Sequence, residues 1–270
     1  MSLMRCVICD SPSNSPLYAD INVVKCKCDH VYYTGDLDDK KIQDLYSEKY
    51  FLGEEYVNYV DDKEIIQKNF QSRLCNVLEY VKSGKLLEIG SAYGFFLDLA
   101  KYKFETLGFE ISPEAVDYAK NQLGLNVKNE DFLNYPLEKL DSFDAVCLYD
   151  CIEHLLHPEN FIEKIAKVTK KGGHIFVTTG DIDTLVPKLR GKKWRLMHPP
   201  THIHYFSRKS LSALLEKNGF RVLKVNYPGY WRSISQAIAG ITGSMSLAKK
   251  VPGNFYLNTF DIMEIIAKKI

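Results

Sequence analysis

Four cysteines stand close together near the start of the chain, as Cys6-Val-Ile-Cys9 and Cys26-Lys-Cys28. Two residues between thiolates let both reach one tetrahedral ion, so the first pair has the spacing of a zinc knuckle. The second pair is tighter, and His30, two residues on, is an alternative ligand. Between the pairs, Pro12, Ser13, Asn14, Ser15 and Pro16 leave too few large apolar side chains for an independent core. A bound Zn²⁺ would supply the missing stability. Four protein ligands leave no open coordination position, so Cys6, Cys9, Cys26 and Cys28 read as a structural site. Catalysis has to be sought elsewhere.

The second group is Leu87-Glu88-Ile89-Gly90-Ser91-Ala92-Tyr93-Gly94-Phe95, which leaves a strand, turns on glycine and enters a helix. In a doubly wound sheet a nucleotide-like ligand sits at such a turn. Gly90 and Gly94 permit close backbone approach, and Glu88 sets a negative charge beside the ligand. That charge repels a pyrophosphate and suits a cation. The run also lacks the dinucleotide spacing G-x-G-x-x-G, because position 92 is Ala. Glu110 follows at the end of the next strand, where an acid can accept from both hydroxyls of a ribose. Adenosine with a cationic, phosphate-free tail satisfies both carboxylates, and S-adenosylmethionine is such a ligand.

The elements that must position these groups are legible as periodicities. In Tyr59–Val81, Ile66, Phe70, Leu74, Val77, Leu78 and Val81 follow helical steps. Beyond Gly84, apolar runs at Leu86–Ile89, Thr106–Glu110, Ala145–Tyr149, His174–Thr179, Arg221–Tyr227 and Ile262–Ile266 read as strands. Helices are expected between them at Phe95–Tyr102, Pro113–Gln122, Pro158–Val168 and from the Ser207 cap to Lys217. Strand–helix alternation of this kind builds an α/β, doubly wound, mostly parallel sheet with helices on both faces. The expected organisation is a zinc-binding module at 1–35, a helical linker at 36–83 and the α/β domain at 84–270.

With these motifs in order, residues 60–270 resemble a class I S-adenosylmethionine-dependent methyltransferase. The resemblance is carried by Glu88-Ile-Gly90-Ser-Ala-Tyr-Gly94, Gly108-Phe-Glu110-Ile-Ser-Pro, Asn129-Glu-Asp131-Phe132, Phe143-Asp144 through Tyr149-Asp150-Cys-Ile-Glu153-His154, and Lys171-Gly172-Gly173. It implies a seven-stranded Rossmann-like sheet. It further implies that Gly90, Ser91 and Gly94 line the amino-acid end of the cofactor, with Glu88 near its ammonium. Glu110 and Ile111 would hold the ribose, Asp131 and Phe132 the adenine, and Tyr149 and Asp150 the methionine moiety. The cysteine module ahead of such a domain is similar to zinc-containing methyltransferases of sugars and glycans, which usually carry two Cys-x2-Cys pairs. A sugar, nucleotide-sugar or glycan precursor is therefore the expected acceptor.

Methyl transfer from a sulfonium needs alignment and, for a protic acceptor, a base near neutral pH. His154, beside the expected cofactor, and His202, in the run Trp194-Arg195-Leu-Met-His198-Pro-Pro-Thr-His202-Ile-His204-Tyr205, are the candidate catalytic bases. Trp194, Arg195, His204 and Tyr205 are the candidate acceptor-binding residues. Three histidines at short spacing also raise a second metal, but no carboxylate or cysteine joins them in sequence, which weighs against it. Lys188, Arg190, Lys192 and Lys193 form a basic stretch that suits an anionic acceptor or a solvated loop. Trp231–Ala248, with Ile234, Ile238, Ile241 and Met245 at helical steps, is expected to be a lid or core helix, with a homodimer contact as the alternative.

Balanced charge, 35 Lys+Arg against 34 Asp+Glu, supplies no global field for nucleic acid and makes an RNA methyltransferase the weaker reading. No uncharged run is long and apolar enough to span a bilayer, and no basic-apolar leader opens these residues. A soluble cytoplasmic enzyme is the expectation. The rivals are a nicotinamide-dependent enzyme on the same kind of sheet and a non-catalytic zinc adaptor with a degenerate fold.

Overall fold

A computed structural model describes residues 5–37, 41, 60, 62–234 and 253–270. Its strands are β1 (Asn14–Tyr18), β2 (Val23–Cys26), β3 (Val31–Tyr33), β4 (Gly84–Ile89), β5 (Phe104–Glu110), β6 (Val127–Asn129), β7 (Phe143–Tyr149), β8 (Thr169–Gly180), β9 (His204–Tyr205), β10 (Phe220–Asn226), β11 (Tyr230–Ser233), β12 (Asn254–Leu257) and β13 (Ile262–Lys269). The helices are α1 (Lys63–Tyr80), α2 (Phe95–Ala100), α3 (Pro113–Asn121), α4 (Pro158–Val168), α5 (Leu185–Arg190) and α6 (Arg208–Lys217).

The large sheet follows from alternation within apolar runs. Leu87, Ile89, Val146, Leu148, Ile175, Val177 and Met263 enter one core, while Leu86, Ala145, Cys147, Tyr149, Phe176 and Ile266 enter the other. With both faces apolar, each needs a helical cover. Val77 of α1, Phe96, Leu97 and Ala100 of α2, and Val116 and Ala119 of α3 pack on the second face. Phe161, Ile162 and Ile165 of α4 and Leu211, Leu214 and Leu215 of α6 pack on the first. The seven strands run in the order β10-β13-β8-β7-β4-β5-β6. The β8-β7-β4-β5-β6 pairings are parallel, and β13 is antiparallel to both neighbours. The expected sheet is present. Strand β4 lies between β5 and β7, so the direction of winding reverses there, and the carboxyl ends of these strands open a crevice.

The N-terminal residues form a second sheet, ordered β1-β2-β3-β9. Its fourth strand comes from the far part of the chain, pairing Val31 with Tyr205 and Tyr32 with His204. The boundary expected at residue 35 is therefore crossed by strand pairing. Val23, Val31, Trp194, Met197 and Tyr205 make a shared core beneath this sheet.

One expectation needs correction. Trp231–Ser233 is not helical but belongs to β11, paired with β12. Asn69 of α1 takes both backbone groups of Trp231, accepting from its N–H at 2.8 Å and donating to its carbonyl at 3.0 Å, which holds the segment extended. Ile238, Ile241, Met245 and the rest of that stretch to Ala248 lie outside the described residues. Among the described residues no helix is long and apolar enough to cross a membrane.

Candidate active site

The glycine turn between β4 and α2 is held in left-handed backbone at Gly90 (φ +72°), Ala92 (φ +44°) and Gly94 (φ +77°). A Cβ at Gly90 would lie 2.7 Å from the Cys151 sulfur, and one at Gly94 would lie 2.6 Å from Leu125. These two positions therefore exclude side chains on steric as well as conformational grounds. Ala92 takes the left-handed conformation that glycine would adopt without penalty, and its N–H donates to Glu110 Oε2 at 2.9 Å.

The other carboxylate oxygen of Glu110, Oε1, accepts from the Ser112 N–H at 2.9 Å. Glu110 thus ties the turn after β4 to the turn after β5, and each oxygen keeps a second lone pair. Burial raises its pKa, opposed by these backbone donors. Asn129, on β6, donates to the carbonyls of Glu110 and Ile111 and holds that strand end in place. Glu88 is buried, and its Oε2 has no partner among the described residues. Burial drives its pKa well up; Arg73 opposes the rise and Glu110 adds to it.

Arg73 is the residue that motif reading missed. It lies on α1, on the face that carries Ile66, Phe70 and Val77, and that buried stripe is the signal that could have found it. Its guanidinium donates to Asp150 Oδ2 at 2.8 Å and to the Tyr230 hydroxyl, and lies 4.8 Å from the centre of the Tyr149 ring. Burial opposes its charge, but Asp150 and Tyr230 outweigh that and hold it protonated. Arg73, paired with Asp150, and Glu88, with one oxygen unpartnered among the described residues, are groups that could meet an amino acid's carboxylate and ammonium. Tyr149 packs edge-on against Phe96, and Asp150 takes positive φ at +51°.

Asp131 and Phe132 are placed differently from each other. The Asp131 carboxylate accepts from the Leu133 N–H and the Asn134 amide in its own turn. Phe132 is fully buried, edge-on to Phe109 in the core.

Beyond β7, a helical turn at Ile152–His154 brings Glu153 and His154 to the loop that precedes β9. His154 Nδ1 lies 2.9 Å from the Thr201 carbonyl, and His202 Nδ1 lies 2.9 Å from the Leu196 carbonyl. The two rings are 4.6 Å apart, and the His198 ring is 3.9 Å from that of His202. Burial lowers the His154 pKa to about 4 and pushes His202 well below its ordinary range, so both imidazoles are neutral at physiological pH. Glu153 is buried, with burial and the nearby Asp150 raising its pKa to about 8. The two histidines that motif reading singled out do meet.

Three of the expected acceptor contacts are buried and engaged with other side chains or backbone. Trp194 is 3% exposed and donates its indole N–H to Asp261 at 2.7 Å. Tyr205 is buried in the same core, its hydroxyl on the His202 carbonyl at 3.0 Å. His204 is buried with its Nδ1 3.2 Å from His30 Nε2. These side chains join the N-terminal sheet to the loop, because β9 adds its strand to β3 and points its residues into the shared interior. Arg195 is partly exposed and paired with Asp261 at 3.1 Å. Lys188 and Lys192 pair with Asp183 and Asp20, as a solvated loop would.

The four cysteine sulfurs converge, all within 4.8 Å of one another, with Cys6–Cys28 at 3.6 Å and Cys9–Cys26 at 3.5 Å. Tetrahedral Zn–S bonds of about 2.3 Å place sulfurs roughly 3.8 Å apart, so the set fits zinc. His30, turned to His204, lies outside it.

A family model described as a methyltransferase domain matches residues 64–225. An uncharacterized protein of Methanocaldococcus jannaschii is 29% identical over 174 residues, covering 63% of this chain and 80% of that protein. A mitochondrial ubiquinone biosynthesis O-methyltransferase of Dictyostelium discoideum is 27% identical over 152 residues, 51% of this chain and 45% of that enzyme; the chain thus spans under half of this relative. Among solved structures, a SAM-dependent methyltransferase from Archaeoglobus fulgidus shares the fold at TM-score 0.56 and 20% identity, covering 78% of this chain and 99% of that one. The magnesium protoporphyrin IX methyltransferase of Synechocystis, with bound SAH, does so at 0.58 and 14%, covering 86% and 100%.

Proposed function

The chain belongs to the class I S-adenosylmethionine-dependent methyltransferases, and from that premise we propose how its own residues divide the work. The cofactor lies over the turn between β4 and α2, in the crevice where the winding reverses. Glu110 takes the ribose hydroxyls on its remaining lone pairs. Arg73 receives the cofactor carboxylate, and Glu88 faces its ammonium. Gly90, Ser91 and Gly94 allow the backbone to approach, Ile111 and Asp131 border the adenosine end, and Tyr149 and Asp150 border the methionine end. The observation that carries this reading is the Glu110 clamp, whose two oxygens bridge both turns at the switch point.

The acceptor is a small molecule that enters on the side of His154 and His202, the groups available to an acceptor's proton. We assign it to the sugar or glycan-precursor class, on the likeness of the four-cysteine module to that of sugar methyltransferases. Zn²⁺ in the cysteine set is structural: it closes the N-terminal sheet and through β9 steadies the acceptor loop. The ubiquinone biosynthesis O-methyltransferase among the relatives favours oxygen as the methylated atom as a second reading. Calorimetric titration with S-adenosylhomocysteine, with Glu110→Ala alongside, tests the cofactor site. Turnover against a panel of nucleotide sugars and phenolic acceptors tests the acceptor class, and methylation of phenols alone would reject the sugar assignment.

A further inference from the structure

Glu153, His154 and His202 present one ligand atom each within 4.8 Å of one another. The sequence places His202 far from the other two, and its own neighbours supply no carboxylate. The fold brings Glu153 to it: the Ile203 N–H donates to the Glu153 carbonyl at 2.9 Å, clamping the loop against the turn after β7. Each histidine has its Nδ1 against a backbone carbonyl, at Thr201 and Leu196. As a donor there, Nδ1 leaves the ring's lone pair on Nε2. That is the arrangement by which proteins orient histidines toward a metal, the outer N–H held by a carbonyl and the inner nitrogen turned to the ion. Glu153 is 4% exposed, and its Oε2 has no partner among the described residues. A buried polar oxygen without a partner is costly, and a cation held between Glu153 and the two imidazoles would meet it.

We propose that Glu153, His154 and His202 bind a divalent first-row transition metal ion, at a second metal site separate from the four cysteines. Two imidazoles and one carboxylate are the ligand set of metal centres that keep positions open for an oxygen ligand. Ligand atoms bound at about 2.0–2.2 Å stand roughly 3 to 3.5 Å apart, so rotations of these side chains close the set around an ion. The open position faces the acceptor side and takes an oxygen-bearing acceptor, a hydroxyl or a vicinal diol. This deepens the acceptor-side reading above: the two histidines hold a cation that grips the acceptor oxygen, in place of accepting its proton directly.

The experiment is a Co²⁺ titration of the zinc-loaded full chain under reducing conditions, read by visible absorption. Cobalt held by nitrogen and oxygen gives weak d–d bands, whereas cobalt held by thiolates adds an intense sulfur-to-metal charge-transfer band, so the two sites are told apart by spectrum. The expected result is one equivalent bound with d–d bands and no charge transfer, weakened at least tenfold by Glu153→Gln and by His202→Ala. Far-UV circular dichroism confirms that the variants fold. Cobalt appearing only in the charge-transfer band, or second-site bands that survive both substitutions, would overturn the proposal. A readout that needs no variant is pulsed EPR of Cu²⁺ bound to the zinc-loaded chain. Couplings from two imidazoles are expected, and their absence counts against the site. The metal count is independent of S-adenosylhomocysteine binding, so failure of this site and failure of the cofactor reading are observed separately.

Discussion

Replacing Glu110 by alanine should abolish most cofactor affinity, and the size of the loss can be worked from its contacts. Both carboxylate oxygens are engaged in the free protein, by Ala92 and Ser112 N–H at 2.9 Å each. Two ribose hydroxyls would add two further bonds to a charged acceptor in a site where water is largely excluded. Such bonds contribute about 1.5–3 kcal/mol apiece. Together that is about 3–6 kcal/mol, or roughly a hundredfold to ten-thousandfold in Kd at about 1.4 kcal/mol per decade. Calorimetry with S-adenosylhomocysteine measures it directly. The substitution also strands two backbone donors, which should lower the thermal midpoint, so binding is compared well below the variant's transition. Glu110→Gln separates the effects further. Its amide keeps one acceptor oxygen but turns an NH2 toward one of the two N–H groups, so it should weaken binding less than alanine while still loosening one turn. If Glu110→Ala binds within about threefold of wild type, the loss is below one hydrogen bond and the ribose assignment fails.

Stripping metal with a chelator, or substituting Cys28→Ser, should speed amide exchange at Tyr33 and Ile203, whose N–H groups bond to the Ile203 and Glu153 carbonyls across the joint between sheet and loop. Unchanged exchange there would show that the sheet stands without zinc. Trp194→Phe removes the 2.7 Å bond to buried Asp261 and should cost about 1–3 kcal/mol in urea unfolding. It should leave S-adenosylhomocysteine affinity unaltered, and a selective loss of acceptor KM instead would restore Trp194 to the acceptor site. Glu264, buried on β13 with Asn76 and Asn226 donating to it, has its pKa raised by burial. Its favourable contribution is therefore complete below the ordinary carboxylate range and is lost as pH rises through the raised folded value. Glu264→Gln should match wild-type stability in acid and exceed it near neutrality, and a variant less stable at neutral pH would reverse the argument.

The central strands were legible because they are buried on two faces, which leaves short continuous apolar runs between helical periods. The glycine turn was legible because conformation and space both demand it: Gly90 and Gly94 take positive φ against Cys151 and Leu125. Arg73 was readable in principle, as the one charged residue on a buried helical stripe, but a motif search confined to strand ends passes over it. The N-terminal sheet was not legible. Its strands are three to five residues long, except for β9, which has two, and its pairing depends on a partner more than 170 residues away. Trp194 read as an acceptor contact because it stands among basic residues in the run beyond the fifth strand. Nothing local announces that Asp261, 67 residues later, supplies the acceptor that lets an indole N–H be buried.

The joining of the two sheets has a consequence for how the acceptor side is built. The loop from Gly191 to Phe206 contains a helical turn and a two-residue strand, too little regular structure to hold three histidines in place. Order reaches it from outside, in part through the bonds of Trp194 and Arg195 to Asp261 and in part through the N-terminal sheet. Cys26 and Cys28 lie at the end of β2 and in the turn that follows it; β2 pairs with β3; β3 pairs with β9; and Ile203, just before β9, bonds both to Tyr33 and to Glu153. His30 stacks on His204 in the same seam, filling the space between sheet and loop with rings and standing apart from the four cysteine sulfurs. The four-cysteine segment is thus joined by strand pairing and a shared core to the part of the chain that follows the large sheet's central strands. Ile203 joins the N-terminal sheet to the turn after β7, one residue from His202.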